Sequence, residues 1–294
     1  MSIRPFSGPG VWLRGNMHTH TTASYRCIHF PGHIDGYAAE GYDFLALTDH
    51  ERVTNTSALN HRGLTMLPGT EISVGENDRG RPFHLVGVGM SAMPEFDSAD
   101  AQGALDALAA VSQFTFIAHP SWSDVTFAHL LTLTGADAVE IFNTGCQREM
   151  GRGLDEIPWD DCLARGSRLL GVAVDDCHWK IPDAYGGWVM VWAEDRSQDA
   201  ICAALRAGRY YSSSGPTIED LEVDVEAGRV RVRCSPAAEV FAVCPHPGQG
   251  GTTWREGIPE EPITECEVTF AAGASPVRVV VVDEHGRRAW SNSS

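Results

Sequence analysis

Short apolar runs rich in β-forming residues recur through the first two thirds of this 294-residue chain, separated by polar or Gly/Pro-containing segments. Runs of this kind are typical of buried strands. The runs are residues 44–48, 84–88, 114–118, 138–142 and 169–174. The helix-like segments that lie between or after them are residues 97–112, 155–165 and 197–206. Because strands that alternate with helices form parallel βαβ units, the pattern predicts an α/β fold.

The pattern changes after about residue 210. Residues 212–216, Ser-Ser-Ser-Gly-Pro, are typical of a linker. Beyond them apolar and polar residues alternate with a period of two, which indicates antiparallel strands with one face in solvent. We therefore predict two domains, residues 1–212 and residues 213–294. The second is expected to be a small antiparallel β-sandwich in which residues 248–262 form a long loop.

Histidines and carboxylates recur where the predicted strands begin or end. His18 and His20 are two residues apart, so an extended strand places both side chains on one face. The other candidates are Asp49, His50, Glu71, His84, His119, Asp176 and His178. Taken singly, such residues are most often structural, for example as helix caps. Their recurrence at one edge of a sheet instead indicates a metal centre, because imidazole and carboxylate ligands suit divalent ions.

The charge balance restricts the partners. The chain has 39 Asp and Glu against 22 Lys and Arg, a formal net charge of −17. Such a surface repels polyanions, so we expect no long nucleic acid as partner. A small phosphorylated substrate remains compatible, because bound metals can reverse the local field inside a pocket.

The remaining sequence signals concern location. No apolar run is long enough to cross a membrane, and the first 15 residues lack the pattern of a signal peptide. The eight cysteines form no Cys-x-x-Cys pair. We expect a cytoplasmic protein with reduced thiols and no membrane partner, and the sequence leaves its oligomeric state open.

In this order, the motifs resemble those of the PHP (polymerase and histidinol phosphatase) superfamily over about residues 14–215. They are His18-x-His20, Thr48-Asp49-His50, Glu71, His84, Ala118-His119-Pro120 and Asp176-x-His178. The resemblance implies a distorted (β/α)7 barrel with metals at the carboxyl-terminal face of its strands. The tail is similar to the short β domain of the carbaryl-hydrolase-like branch, in residues 211–216 and 289–292.

The resemblance also implies how the ligands are shared. One ion would be held by His18, His20, Glu71 and Asp176. Glu71 would bridge to a second ion, bound also by His84 and His119, and a third would be bound by His50 and His178.

The chain departs from the family pattern at the third site. Tyr25 and Arg26 stand where the family supplies another His or Asp ligand. Three alternatives follow. The site is empty or weak, or it takes His29, His33 or Cys27 as a ligand, or Arg26 binds a substrate phosphate there instead.

The resemblance and the ligand types together imply a phosphoesterase with two to three divalent ions, Mn, Zn or Fe. Two ions that share a water lower its pKa to about 7, so a metal-bridging hydroxide is the expected nucleophile toward a metabolite or nucleotide phosphate. The predicted proton donor to the leaving oxygen is His178, or Asp49 with His50.

The candidates for phosphate binding are Arg26, Arg148, Arg152 and Lys180, with Arg148 in a loop predicted over residues 143–148. Two other functions remain open. One is metal-dependent hydrolysis of a non-phosphate ester or carbamate, and the other is a PHP domain that binds a ligand without catalysis.

Overall fold

The computed structural model of this chain describes residues 2–24, 33–59, 61–244, 246, 248–254 and 261–294. Its helices are α1 His33–Ala39, α2 Ala101–Val111, α3 Phe127–Leu130, α4 Thr144–Met150, α5 Glu156–Leu163 and α6 Gln198–Arg206, with a 3-10 turn at Thr56–Ala58. The strands of the first two thirds are β1 Val11–Asn16, β2 Phe44–Leu47, β3 Thr65–Val74, β4 Phe83–Val88, β5 Phe114–Ile117, β6 Ala138–Asn143, β7 Leu170–Val174, β8 Trp188–Ala193 and β9 Tyr210–Ser213. The strands of the tail are β10 Ile218–Asp224, β11 Arg229–Ala237, β12 Glu239–Val243, β13 Gly251–Trp254, β14 Ile263–Thr269, β15 Arg278–Val282 and β16 Arg288–Ser291.

A 13-stranded sheet dominates the described chain, in the order β13-β12-β15-β16-β9-β8-β1-β2-β3-β4-β5-β6-β7. The pairs β1–β2, β2–β3, β5–β6 and β6–β7 are parallel, as expected of strands joined by helical crossovers. β4 is antiparallel to both of its neighbours, β3 and β5. The predicted α/β class is confirmed at this level.

The ends of β1 and β7 meet, although the two strands lie far apart in the sheet order. The His20 N–H donates to the Cys177 carbonyl at 3.1 Å, and the Asp176 N–H donates to the His18 carbonyl at 2.8 Å. Large apolar side chains from β1 to β7 pack together in the interior, among them Leu13, Phe44, Leu67, Val86, Phe116, Ala138 and Val172. The first and last motifs of the sequence therefore lie side by side.

Two predicted irregular segments are regular structure. The predicted loop at residues 143–148 is wrong, since α4 begins at Thr144 and the Asn143 side chain caps it by accepting from the Cys146 N–H. The predicted linker at residues 212–216 is also wrong at its start. Ser212 and Ser213 are buried in β9, where Ser212 Oγ donates to the Gly171 carbonyl and accepts from the Ala173 N–H. Hydrogen bonds to the distant segment β7 satisfy Ser212, which composition alone assigns to a loop.

The tail continues the large sheet through β16, which pairs with β9. A separate antiparallel sheet, β10-β11-β14, packs on this part of it through a common apolar cluster that includes Leu221, Val232, Val240, Val281 and Ala289. The predicted long loop at residues 248–262 contains β13, and residues 255–260 lie outside the described residues. The domain boundary at residue 212 stays a prediction.

Among the described helices, none has the length and apolar character needed to cross a bilayer.

Candidate metal centre

The predicted metal ligands come together at one end of the strands β1, β3, β4, β5 and β7. His18 and His20 follow β1, Glu71 lies within β3, and His119 follows β5. His84 stands at the beginning of β4, yet it reaches the same edge because β4 runs antiparallel to its neighbours. The prediction that these residues meet at the ends of parallel strands therefore needs one correction, which is the direction of β4.

The first group consists of His18, His20, Glu71 and Asp176. The Nε2 atoms of His18 and His20 lie 3.1 Å apart. They lie 3.4 and 3.3 Å from Glu71 Oε2, and 3.4 and 3.1 Å from Asp176 Oδ1. Four potential ligand atoms thus point into one small volume, and all four residues are buried.

The other oxygen of Glu71 faces the second group. Glu71 Oε1 lies 2.7 Å from His84 Nδ1 and 3.1 Å from His119 Nε2. Because its two oxygens face different histidines, Glu71 has the geometry of a carboxylate shared between two neighbouring sites.

A third group, His20, His50 and His178, lies nearer the surface. The rings of His50 and His178 lie with centroids 4.3 and 4.2 Å from that of His20. Their side chains are 26 % and 24 % exposed, so this group forms the rim of the centre. Of the alternative ligands, His33 lies in α1 with its Nδ1 accepting from Trp179 Nε1–H, and it is not part of this group. Tyr25, Arg26, Cys27 and His29 lie outside the described residues.

The donor set fits divalent cations. Glu71 Oε2 and Asp176 Oδ1 are buried, and histidine nitrogens lie close to both: His50 Nδ1 is 2.9 Å from the former and His20 Nε2 is 3.1 Å from the latter. The ion-pair partners of Glu71, Glu140 and Asp176 within the described part of the chain are all histidines. Buried carboxylates without a guanidinium or ammonium partner are costly, and a bound cation would remove that cost.

The pKa shifts in the cluster also agree with a site for cations. Burial alone would raise the pKa of Glu71 and of Asp176, but the charge of neighbouring His18 holds both below their ordinary values. Burial alone would lower the pKa of His119, but its hydrogen bond to Glu71 and the nearby charges of Asp176 and Glu140 raise it to about 9. The carboxylates are therefore ionised and demand positive charge, which either protons or metal ions supply.

The second nitrogen of His20 has a fixed partner. Ser24 Oγ donates to Asp49 Oδ1 at 2.7 Å, so it accepts from His20 Nδ1–H at 2.9 Å. This leaves Nε2 of the neutral ring without a proton and able to bind a metal. Asp49 also accepts from Thr21 and Thr54, and these hydrogen bonds hold its pKa below the ordinary value although burial opposes them. The structure therefore places Asp49 behind His20 rather than in the cluster.

Two of the candidate ligands are among the residues other than glycine with a positive φ angle. His119 and Asp176 have φ angles of 27° and 53°, in the left-handed region that few residues other than glycine adopt. Strained residues of this kind cluster at functional sites, where surrounding contacts hold them.

The described phosphate-binding candidates lie at the periphery. Arg148 is exposed in α4, and Lys180 is exposed in the turn after His178. Arg152 Nη1 donates to Asp124 Oδ1 at 3.0 Å and to the Ser121 carbonyl, so part of its guanidinium is already engaged.

Residues around the cluster that were not predicted include Trp122, Arg81 and Glu140. Trp122 packs edge-on against His84 and His119, with the Arg81 guanidinium 5.7 Å from its ring. Glu140 is fully buried and touches His18. The sequence does point to Glu140, because it is a carboxylate inside the apolar run 138–142. A carboxylate in such a run needs a specific buried partner.

Comparison with known proteins finds relatives by structure. No protein-family model and no curated protein matches the sequence. A two-domain protein from Bacteroides vulgatus, described as containing a predicted PHP-like metal-dependent phosphoesterase, is similar at a TM-score of 0.55 and 16 % identity. The match covers 97 % of this chain and 96 % of that one.

Two further matches have lower scores. A putative metal-dependent phosphoesterase from Bifidobacterium adolescentis has a TM-score of 0.41 at 16 % identity, over 66 % of this chain and 96 % of that one. Endonuclease Q, in complex with a 27-mer duplex containing an abasic lesion, has a TM-score of 0.44 at 11 % identity, over 67 % of this chain and 57 % of that one. The chain thus shares the fold of the two-domain Bacteroides protein, whose description names a predicted PHP-like phosphoesterase, over nearly its whole length.

Proposed function

We propose that this chain is a PHP-superfamily, metal-dependent phosphoesterase that hydrolyses a small phosphate ester. The observation that carries the proposal is the environment of Glu71. Its buried carboxylate offers one oxygen to His18 and His20 and the other to His84 and His119, and none of its ion-pair partners in the described chain is Lys or Arg. When bound, two to three divalent ions of the Mn, Zn or Fe type supply Lewis acidity toward a phosphoryl oxygen and make water a better nucleophile at neutral pH.

Within this proposal the buried residues hold the ions, and the rim residues serve the substrate. His18, His20, Glu71 and Asp176 form the first site, and Glu71, His84 and His119 form the second. His50 and His178 are partly exposed beside them, which suits transfer of a proton to the leaving oxygen. Asp49 acts through Ser24 to orient His20, because hydrogen bonds already occupy its carboxylate.

The substrate is proposed to be small and anionic. Arg148 and Lys180 are exposed near the ends of the strands and can contact a phosphate, and Arg81 beside Trp122 adds a third cation. A net charge of −17 opposes the approach of a long polyanion.

The finer fold assignment belongs to the same proposal. The hydrogen bonds between the ends of β1 and β7 support a distorted (β/α)7 barrel in residues 1–212. The apolar cluster shared by the two tail sheets supports a small β-sandwich in residues 213–294, as in the carbaryl-hydrolase-like branch.

The test is a metal count followed by a substrate screen. The purified protein is analysed for bound metals and assayed with Mn²⁺, Zn²⁺ and Fe²⁺ on phosphate monoesters and diesters, on aryl esters and carbamates, and on a DNA oligonucleotide. We expect bound metal and turnover of small phosphate esters, both lost in Glu71→Gln. The matched control Glu156→Gln changes a buried glutamate whose partners are Arg278 and Arg288, and it should keep both properties.

Each class of substrate decides between named functions. Turnover of carbamates or aryl esters alone would favour the non-phosphate hydrolase. Metal binding without turnover of any substrate would favour a non-catalytic binding domain. Absence of metal from the wild-type protein, or a fully active Glu71→Gln variant, would refute the metal centre itself.

A further inference from the structure

Glu140 accepts hydrogen bonds from two of the candidate metal ligands, His18 and His119. It lies in β6 and is fully buried. Its Oε1 accepts from His18 Nδ1–H at 2.6 Å. Its Oε2 accepts from the His119 backbone N–H and from Asn143 Nδ2, both at 2.8 Å.

These contacts join ligands that come from different strands. His18 follows β1 and His119 follows β5, and one carboxylate on β6 touches both. Asn143 Nδ2 also lies 3.2 Å from Asp176 Oδ2, which extends the connection to the end of β7. Glu140 is not itself part of any of the three groups of potential ligands among the described residues. Glu140 therefore contacts the candidate ligands and is not one of the residues that would bind an ion directly.

The contact with His18 fixes which ring nitrogen is free. An ionised carboxylate only accepts hydrogen bonds, so His18 Nδ1 carries the proton and Nε2 of the neutral ring does not. His18 Nε2 is the atom that faces His20, Glu71 and Asp176. A carboxylate on the far nitrogen of a histidine ligand also makes that ligand more basic.

The contact with His119 concerns its backbone. His119 has a φ angle of 27°, which is unfavourable for a residue with a side chain. The hydrogen bond from its N–H to Glu140 holds this conformation, which directs His119 Nε2 toward Glu71 Oε1.

We propose that Glu140 is a positioning residue for both metal sites. It sets the tautomer of His18 in the first site and the backbone of His119 in the second, and through Asn143 it restrains Asp176. This inference rests on the proposed metal centre. It adds that the two sites depend on one carboxylate outside the ligand set, so its loss weakens binding at both.

The experiment measures metal affinity directly. Wild type, Glu140→Gln and the matched control Glu156→Gln are stripped with a chelator and titrated with Zn²⁺ in competition with a chromophoric chelator. Glutamine keeps the size of the side chain but has one accepting oxygen for three donors. We expect affinity at both sites to fall about 10- to 100-fold in Glu140→Gln, the usual range for such second-layer contacts. We expect no change in Glu156→Gln.

A spectroscopic readout separates positioning from a general loss of structure. In the Zn²⁺-loaded protein, the His18 Nδ1–H proton bonded to a carboxylate should give a downfield imidazole proton resonance. It should be present in wild type and Glu156→Gln and lost or moved upfield in Glu140→Gln. Wild-type affinity together with an unmoved resonance in Glu140→Gln would overturn the inference.

A second variant covers the case in which Glu140→Gln does not fold. Glu140→Asp keeps the charge but shortens the side chain, so it cannot serve both His18 and His119. Weaker Zn²⁺ binding by a folded Glu140→Asp supports the positioning role, and wild-type binding contradicts it. If wild type binds no metal, the proposed function itself fails, and that result is distinct from either outcome.

Discussion

Two ionic clusters in this molecule, one buried and one partly buried, differ in how their charges are balanced. In the cluster formed by Arg278, Arg288, Glu156 and Asp160, two guanidinium groups face two carboxylates. Arg278 donates to both oxygens of Asp160 at 2.7 Å and lies 5.0 Å from the centre of the Trp159 ring. This cluster, here called the arginine cluster, fastens β15 and β16 of the tail to α5. Its formal charges cancel.

In the metal centre, the formal charges cancel only when protons or metal ions are bound. Glu71, Glu140 and Asp176 are buried, and their ion-pair partners in the described chain are histidines, with no Lys or Arg among them. A buried charge cluster that balances itself has a structural role, because removing either sign leaves the other uncompensated. A cluster with more carboxylates than fixed cations needs further positive charge, which protons or metal ions supply. Burial of carboxylates therefore indicates a structural role in the arginine cluster and a cation-binding role in the metal centre.

The largest expected effect comes from removing the charge of one candidate ligand, Asp176, whose ion-pair partners in the described chain are histidines. Asp176→Asn keeps the size of the side chain, and asparagine tolerates the positive φ at this position. We expect activity to fall at least about 10³-fold, because ligands that act as a unit lose most of their effect together. Steady-state kinetics and a metal count measure this. The matched change Asp160→Asn in the arginine cluster should keep the activity of the folded protein, and equal losses in both variants would remove the distinction drawn between the clusters.

The second effect is on stability. Arg278→Met removes the buried guanidinium that faces Asp160 and leaves the buried Glu156 with Arg288 alone, so we expect a loss of about 3–5 kcal/mol in the free energy of unfolding. Urea unfolding of the chelator-treated protein measures it. Arg231→Met breaks an exposed pair with Glu267 and should change stability little. An Arg278→Met variant as stable as wild type would show that the arginine cluster does not fasten the tail.

Bound metal should stabilise the folded protein through the metal centre, and this stabilisation should not depend on the arginine cluster. A ligand that binds only the folded state, at 100 times its Kd, adds about 2.7 kcal/mol to the free energy of unfolding. We therefore expect Zn²⁺ or Mn²⁺ to raise the unfolding temperature of wild type and to give a similar increment in Arg278→Met, but a smaller one in Asp176→Asn, which keeps only the second site intact. Scanning calorimetry with and without chelator measures the increments. An equal increment in Asp176→Asn would place the bound metal elsewhere.

The candidate ligands were accessible to prediction from the sequence because their pattern is local. Histidines and carboxylates stand where apolar runs end, and strand ends meet at one edge of a sheet. The direction of β4 was not accessible, because a run of alternating or apolar residues is the same whichever way the strand is paired. His84 reaches the site only because β4 is reversed.

Contacts between distant segments were also beyond the sequence. Glu140 and His18 are 122 residues apart, and so are Glu156 and Arg278, so nothing near either residue identifies its partner. Ser212 and Ser213 resemble a linker in composition, but their hydroxyl groups find partners in neighbouring segments and the residues become strand. Tertiary hydrogen bonding decides such cases, and only the folded chain shows it.

The smallest expected effect concerns a carboxylate that lies between the two clusters. Asp155 immediately precedes α5, which carries Glu156 and Asp160, and it accepts hydrogen bonds from Ser121 in the loop after His119. It is 1 % exposed, and its Oδ2 accepts no hydrogen bond from the described residues. Burial raises its pKa to about 7, the charge of Glu140 adds to this, and the Ser121 hydrogen bonds and His119 oppose it.

Because the folded pKa of Asp155 lies above the ordinary value of 3.8, the folded state binds this proton more tightly than the unfolded state does. Its contribution to stability is therefore present at low pH and is lost as the pH rises from about 4 toward 7, by about 1 kcal/mol over one pH unit. We expect the stability difference between Asp155→Asn and chelator-treated wild type to shift in favour of the variant by that amount between pH 5 and 6, and to level off above pH 8. Urea unfolding across this range measures it. Parallel curves for the two proteins would mean that Asp155 stays ionised although it is buried. In that case, burial of ionised carboxylates at Glu71 and Asp176 would be weaker evidence for a bound cation.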